Sequence, residues 1–395
     1  MTSETVEYSP KEPFAVSLVE DQQLLPRVFG SPARYVQGAG VIDHAGHYLS
    51  RLGFNCCAVL LSARSLQAEG GRLMESLAGA AIPARTAIFN GECSLQEIDS
   101  HVAALRDSSD PVDGIVAVGG GKVVDAGRAI AHRLGVPLAV VPSLASNDAP
   151  CAAVSVIYTP EGVTADAEIY DENPRLVLVD TEVIAQADER YLVAGMGDAM
   201  ATWYEASACA RTPAGVNVFG GRPTLAGTAL AELCAKTIYE DGAAALEAVR
   251  DSRVSEPLER VIEANTLLSG LGYESGGLSV AHGVAQGYTV IERVHRHYLH
   301  GEMVAMGVLA QLMLESLADE AQEVAGFFVS VGLPVHLAQL SLSAEDQSEL
   351  QAVVEASLAF PFISNMPDEV TAEKLLSALL AADRLGRSVA EPSHS

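Results

Sequence analysis

Gly114-Ile115-Val116-Ala117-Val118-Gly119-Gly120-Gly121-Lys122-Val123-Val124-Asp125 decides the fold of this chain. The apolar half of the stretch reads as a strand buried on both faces, and a helical pattern follows it to about Leu134. A strand, a glycine bend and a helix N-terminus together aim backbone N–H groups at an anion. Three glycines in succession let a pyrophosphate approach the backbone without Cβ clashes. The stretch is neither Gly-x-Gly-x-x-Gly nor a Walker A loop. Val116 stands where the first Walker glycine would be, and Val123 follows the lysine.

Outward from this bend, short apolar runs alternate with helical patterns. Cys57–Leu61, Thr86–Phe89, Ile115–Val118, Leu138–Val141 and Leu176–Val179 read as strands, with helices predicted over Ser65–Ala80 and Leu95–Arg106. Such alternation implies a parallel sheet with helices on both faces, whose ligands sit at the carboxyl ends of the strands. From about Ile184 helical patterns dominate: Asp198–Ala210, Thr224–Asp241, Pro257–Leu271, Leu278–Ile291, Glu302–Leu317, Ala321–Val331 and Thr371–Leu385. The expected organisation is therefore an N-terminal extension (1–26), a Rossmann-like α/β dinucleotide-binding domain (27–185) and an all-α domain (186–395).

Composition narrows the functional classes. The chain has 395 residues, 49% of them hydrophobic, which is enough for two cored domains. Its 51 acidic against 24 basic residues give a net charge of −27, so a nucleic acid partner is not expected. No apolar run approaches bilayer length, and the N-terminus lacks the basic and apolar regions of a signal peptide. The six cysteines form no Cys-x-x-Cys pair. Free thiols in a cytoplasmic protein are the expectation.

In the helical half, Asp198 lies in Gly195-Met196-Gly197-Asp198, His282 in Val280-Ala281-His282-Gly283, and His300 opens His300-Gly301-Glu302. One carboxylate and two imidazoles with an open position suit Zn²⁺, and also non-haem Fe²⁺. Read singly, Asp198 also suits an N-cap, His282 a core histidine and His300 a surface residue. The spacing between them carries no local signature.

These segments, together with Ser31–Gly38, Gly91-Glu92-Cys93-Ser94 and Pro142-Ser143-Leu144-Ala145-Ser146-Asn147-Asp148-Ala149-Pro150-Cys151, resemble the glycerol dehydrogenase group. That group belongs to the metal-dependent polyol and iron-containing alcohol dehydrogenase superfamily, with a dehydroquinate synthase-like fold. The resemblance runs from about Ser31 to Arg387. It implies an oxidoreductase acting on the secondary alcohol of a small polyol such as glycerol, with the site in the cleft between the two domains. It implies a metal held by Asp198, His282 and His300, and Asp148 beside the substrate hydroxyls. It implies that Gly119, Gly120, Gly121, Lys122, Asp125, Ser143, Ser146, Val154 and Tyr158 follow the cofactor, and that the chain forms a homo-oligomer.

Three departures bear on chemistry. After the second strand, Ser62-Ala63-Arg64 stands where many relatives carry an acid for the adenine ribose. NAD is the expected cofactor, with NADP the alternative. Ala152 replaces a serine near the cofactor. Thr202 stands where iron-dependent relatives add a histidine, which argues for zinc. The alternative activities are a dehydroquinate synthase-like lyase and a glycerol-1-phosphate-type dehydrogenase. Both need several Lys or Arg on an anionic substrate, and only Arg293 and Arg296 lie close to the His282–His300 segment.

Overall fold

The computed structural model describes residues 13–15 and 25–390. The expected N-terminal extension therefore lies outside the described residues except at 13–15 and 25–26. There, the Phe14 ring meets Phe219 edge-on at 6.4 Å, and Ala15 N–H donates to the Phe219 carbonyl.

Six strands form one parallel sheet: β1 (Tyr35–Gly38), β2 (Cys57–Leu61), β3 (Ala84–Ile88), β4 (Gly114–Gly119), β5 (Leu138–Pro142) and β8 (Leu176–Asp180). Their order is β1-β8-β5-β4-β2-β3. The central strands β2, β4, β5 and β8 are buried at every residue. This explains their uninterrupted Val, Ile, Leu and Ala runs, since both faces of a parallel sheet are covered. One face packs Val59, Val116 and Leu178 against helices α1 (Ala45–Arg51) and α3 (Gly70–Gly79). The other packs Leu60, Ala117 and Val140 against α4 (Leu95–Arg106) and α5 (Gly121–Leu134), in a core continuous with the helical half. After β3 the chain crosses to the far side of β2 and continues as β4. The strand order reverses there, which opens a crevice at the carboxyl ends of β2 and β4.

The helical pattern over Ser65–Ala80 is two helices, α2 (Ala63–Gln67) and α3, parted at Ala68-Glu69. Gly70-Gly71 follows, and glycine is among the poorest helix formers. An antiparallel hairpin, β6 (Val154–Tyr158) and β7 (Thr164–Ile169), has no counterpart in the sequence pattern. Four of the six β7 residues are exposed, so no apolar run marks it.

The helical half follows β8. It comprises α6 (Thr181–Ala185), α7 (Glu189–Arg211), α8 (Leu225–Arg250), α9 (Glu256–Glu263), α10 (Ser269–Gly276), α11 (Val280–Tyr288), α12 (Glu292–His297), α13 (His300–Leu314), α14 (Ala318–Val331), α15 (Gln347–Leu358) and α16 (Ala372–Ala390). Asp188 caps α7 by accepting from Arg190 N–H, so the helix begins nine residues before Asp198. The N-cap role for Asp198 is excluded. Two interior glycines make the segment read as a helix start, and each has a packing reason. A Cβ on Gly195 would lie 2.0 Å from the Ala145 carbonyl, and one on Gly197 2.4 Å from the Gly301 carbonyl. Among the described residues, no helix is long and apolar enough to cross a membrane.

A single π turn, Ala264–Leu268, joins α9 to α10. It places Asn265 so that its amide donates to the carbonyls of Ala145 (2.9 Å) and Leu192 (3.3 Å), tying the loop after β5 to α7. Glu274 makes a second tie. Its carboxylate is buried and accepts from Ala153 N–H and from Asn173 Nδ2 (2.7 Å). Burial pushes its pKa up to about 7. The folded chain thus holds a proton that the unfolded chain releases near the ordinary glutamate value. Stability contributed by this group falls as pH rises from about 4.5 to 7, by on the order of 3 kcal/mol. Urea unfolding at pH 5 and pH 8 should show most of that loss in the parent, and a smaller loss in Glu274→Gln.

Candidate active site

Three distant segments bring their ligating groups to one point. Asp198 sits in the third turn of α7 and is fully buried, His282 lies in the first turn of α11, and His300 opens α13. The Nε2 atoms of both histidines lie 3.4 Å from Asp198 Oδ1. One donor atom from each residue falls within 4.8 Å of the others. The imidazole rings stand 5.4 Å apart. Close helix packing creates this meeting: a Cβ on Gly301 would lie 1.7 Å from the Ala194 carbonyl, so glycine there lets α13 bring His300 against α7.

The donor set fits a divalent cation. Asp198 Oδ1 is buried without a hydrogen-bond partner, while Oδ2 accepts from Asp148 N–H at 3.1 Å. A buried acceptor left unpaired is costly, and a cation would satisfy it. Burial opposes charge on Asp198, but the two imidazoles hold its carboxyl well below the usual range. Burial likewise works against a charged His282, yet Glu205 and Asp198 raise its pKa well above the usual histidine value. Asp148 stands beside the cluster with Oδ2 buried and unpartnered. Burial, and then the charge of Asp198, push its carboxyl well above the ordinary value.

A six-residue loop, Ser143–Asp148, joins this cluster to the glycine bend. Ser143 N–H donates to the Gly119 carbonyl. Leu144 packs by Gly120, and a Cβ on Gly121 would come within 2.6 Å of the Asn147 amide. Gly119 has φ 152°, a conformation that favours glycine, and Gly120 caps α5 with no side chain in the way. Gly119, Gly120, Gly121 and Ser143 therefore meet at the carboxyl ends of β4 and β5, with Ser146 half-buried on the same loop. Lys122 follows, its ammonium 2.7 Å from the Glu92 carboxylate and 5.1 Å above the Tyr158 ring. Val154 and Tyr158 open and close β6.

Asp125 is more deeply committed. Arg128 donates to its Oδ1 at 2.8 Å and Val156 N–H to its Oδ2 at 3.3 Å, which anchors β6 to α5. Burial raises its pKa to about 6 against the pull of Arg128. At the end of β2, Ser62 caps α2 by accepting from Ser65 N–H, and Arg64 is exposed. The hairpin also reaches the helical half, with His295 Nε2 2.5 Å from the Gly162 carbonyl.

Two residues at or around the site escape the sequence pattern: Asn265 and Glu205. Glu205 is fully buried with its Oε2 2.6 Å from His282 Nδ1. Its position seven residues after Asp198, on the same helix face, is the signal that could have found it.

Comparison with known proteins agrees with this geometry. A family model described as iron-containing alcohol dehydrogenase matches residues 32–181. The chain is 44% identical to a glycerol dehydrogenase of Escherichia coli O6:H1 over 92% of its own length and 98% of that protein. It is 41% identical to a glycolaldehyde reductase of Halobacterium salinarum, with 92% and 98% covered. The crystal structure of glycerol dehydrogenase from Schizosaccharomyces pombe superposes with a TM-score of 0.87 at 33% identity, covering 92% of both chains. The parallel sheet with its switch-point glycine bend, the all-helical second half and this degree of identity place the chain in the glycerol dehydrogenase family of iron-containing alcohol dehydrogenases.

Proposed function

We propose that the chain is a zinc-dependent, NAD-linked dehydrogenase of a small polyol, oxidising glycerol or a similar vicinal diol at its secondary alcohol, or running the reverse reduction. The observation that carries this is the unpartnered Asp198 Oδ1 facing two imidazoles, one short loop away from the glycine bend. Asp198, His282 and His300 would hold the metal, which supplies a Lewis acid for the substrate oxygen. A bound nicotinamide would supply the hydride acceptor.

The chain's own residues supply the rest. Asp148 fixes Asp198 through its backbone N–H, and its unpaired carboxyl oxygen is available to orient a substrate hydroxyl and hold a proton. Glycine-bend N–H groups and the N-terminus of α5 would seat the pyrophosphate, with Lys122, Ser143, Ser146, Val154 and Tyr158 along the cofactor. Asp125 contributes by holding β6 in place. This division of labour follows the two expected domains, 27–185 and 186–395.

Zinc is supported over iron by Thr202. Its hydroxyl is fully buried and pairs with Ser269 Oγ at 2.7 Å, so the described residues offer three ligands, not four. A phosphorylated substrate finds no free base among Arg293 and Arg296, which pair with Glu349 and Glu292. NAD is favoured over NADP because Arg64 is the single base in Ser62-Ala63-Arg64, and it is exposed. A cytoplasmic homo-oligomer completes the reading, supported by unpaired cysteines and by exposed Leu225 and Leu233 on α8.

Glycolaldehyde reduction is the second reading, favoured by the identity to the halobacterial reductase. An initial-rate panel at 340 nm tests both. It crosses NAD and NADP with glycerol, propane-1,2-diol and butane-2,3-diol, and NADH and NADPH with glycolaldehyde, on stripped protein reloaded with zinc or iron. The fastest rates are expected with zinc, NAD and glycerol. Preference for glycolaldehyde would install the second reading, and equal rates without metal would overturn both.

A further inference from the structure

We propose that Glu205 is the positioning residue that sets how tightly the site holds its metal, by locking the His282 ring so that Nε2 faces Asp198. This rests on the metal reading above. Glu205 stands two turns after Asp198 on α7, and no part of it reaches solvent. A buried carboxylate is costly unless its oxygens are satisfied, and here they are. Oε2 lies 2.6 Å from His282 Nδ1, while Oε1 accepts from the backbone N–H groups of Ser279 (2.9 Å) and His282 (2.8 Å).

One side chain thus grips both the ring and the backbone that carries it. With Nδ1 tied, the ring keeps one face of rotation, and Nε2 falls 3.4 Å from Asp198 Oδ1. A carboxylate on the far nitrogen of a ligating histidine fixes its tautomer and raises its donor strength. His300 lacks such a brace. It meets Asp198 and the His282 ring and interacts electrostatically with Asp125, and its side chain is 48% exposed. Pre-organisation of the site therefore resides in the Asp198–His282–Glu205 line, with His300 closing it.

The test compares parent, Glu205→Ala and Glu205→Gln. Stripped proteins are titrated with zinc against a chromophoric chelator, the visible absorption of the cobalt-loaded forms is recorded, and the thermal midpoint of each stripped protein is measured. Alanine is expected to weaken zinc binding by ~10–100-fold and to shift the cobalt bands. Glutamine, which keeps an acceptor and the volume, is expected to recover part of both, and dinucleotide affinity should match the parent. It also carries the test if the alanine variant fails to fold. A lowered midpoint with parental zinc affinity and cobalt spectrum would make Glu205 a helix anchor only and overturn the proposal. Parent protein that binds zinc no better than Asp198→Asn would instead overturn the metal reading itself.

Discussion

Asp198→Asn is expected to lose the metal and on the order of 10³-fold in turnover, because Lewis-acid catalysis is worth several kcal/mol and each 1.4 kcal/mol is tenfold. The substitution keeps the shape of the side chain and removes its charge. Both imidazole Nε2 atoms approach Oδ1, and Asp148 N–H donates to Oδ2. An amide NH₂ in the second position would face that N–H donor to donor, and in the first would face the imidazoles. Either orientation weakens a cation site that depends on a buried anion. Elemental analysis, turnover at 340 nm and dinucleotide binding followed by fluorescence separate the effects. Metal and turnover should fall together while dinucleotide affinity stays near the parental value. Full turnover from metal-free protein would refute the assignment.

Gly301→Ala is expected to lower stability by about 2 kcal/mol and metal affinity by at least ~10-fold. In an unencumbered helix the same change would stabilise by up to ~1 kcal/mol. Here the added methyl would lie 1.7 Å from the Ala194 carbonyl and 3.1 Å from Asp198 N. Backbone cannot yield as a flexible side chain can, so α13 must move away from α7. Overpacking of this kind costs ~1–3 kcal/mol. The movement carries His300, the first residue of α13, away from Asp198. Gly326→Ala is the matched control. It lies exposed within α14 with nothing within 4 Å of the added Cβ, and should stabilise slightly. Urea midpoints and zinc titration on the two variants give the comparison. Parental metal affinity in Gly301→Ala would show that the helix approach does not place His300.

The parts of this fold that the sequence makes legible are those where one local pattern has one physical solution. β2, β4, β5 and β8 are covered on both faces, so each is written as an unbroken apolar run. The glycine bend is legible because backbone geometry demands it at Gly119. Elements whose reason lies far along the chain are not. Gly195 and Gly197 look like a helix boundary, because the carbonyls of Ala145 and Gly301 that require them are invisible to a local pattern. The π turn at Ala264–Leu268 and the helices α12 and α15 also go unmarked. Asp198, His282 and His300 stand 84 and 18 positions apart. Their convergence becomes readable only through the family resemblance. Glu205 was within reach of periodicity, but a lone buried glutamate in an apolar helix means nothing until its partner is known.

The cysteines give the fold an internal clock. Five of the six are buried, and Cys56 is half-buried. Burial pushes Cys57 and Cys209 up to about 12, and it raises Cys93, Cys151 and Cys234 as well. The thiolate is the reactive species, so at those five positions the native chain offers alkylating or oxidising reagents almost nothing to attack. Modification at those five positions would then proceed at the pace at which the surrounding layers separate. Air exposure, in turn, would harm an opened molecule long before a closed one.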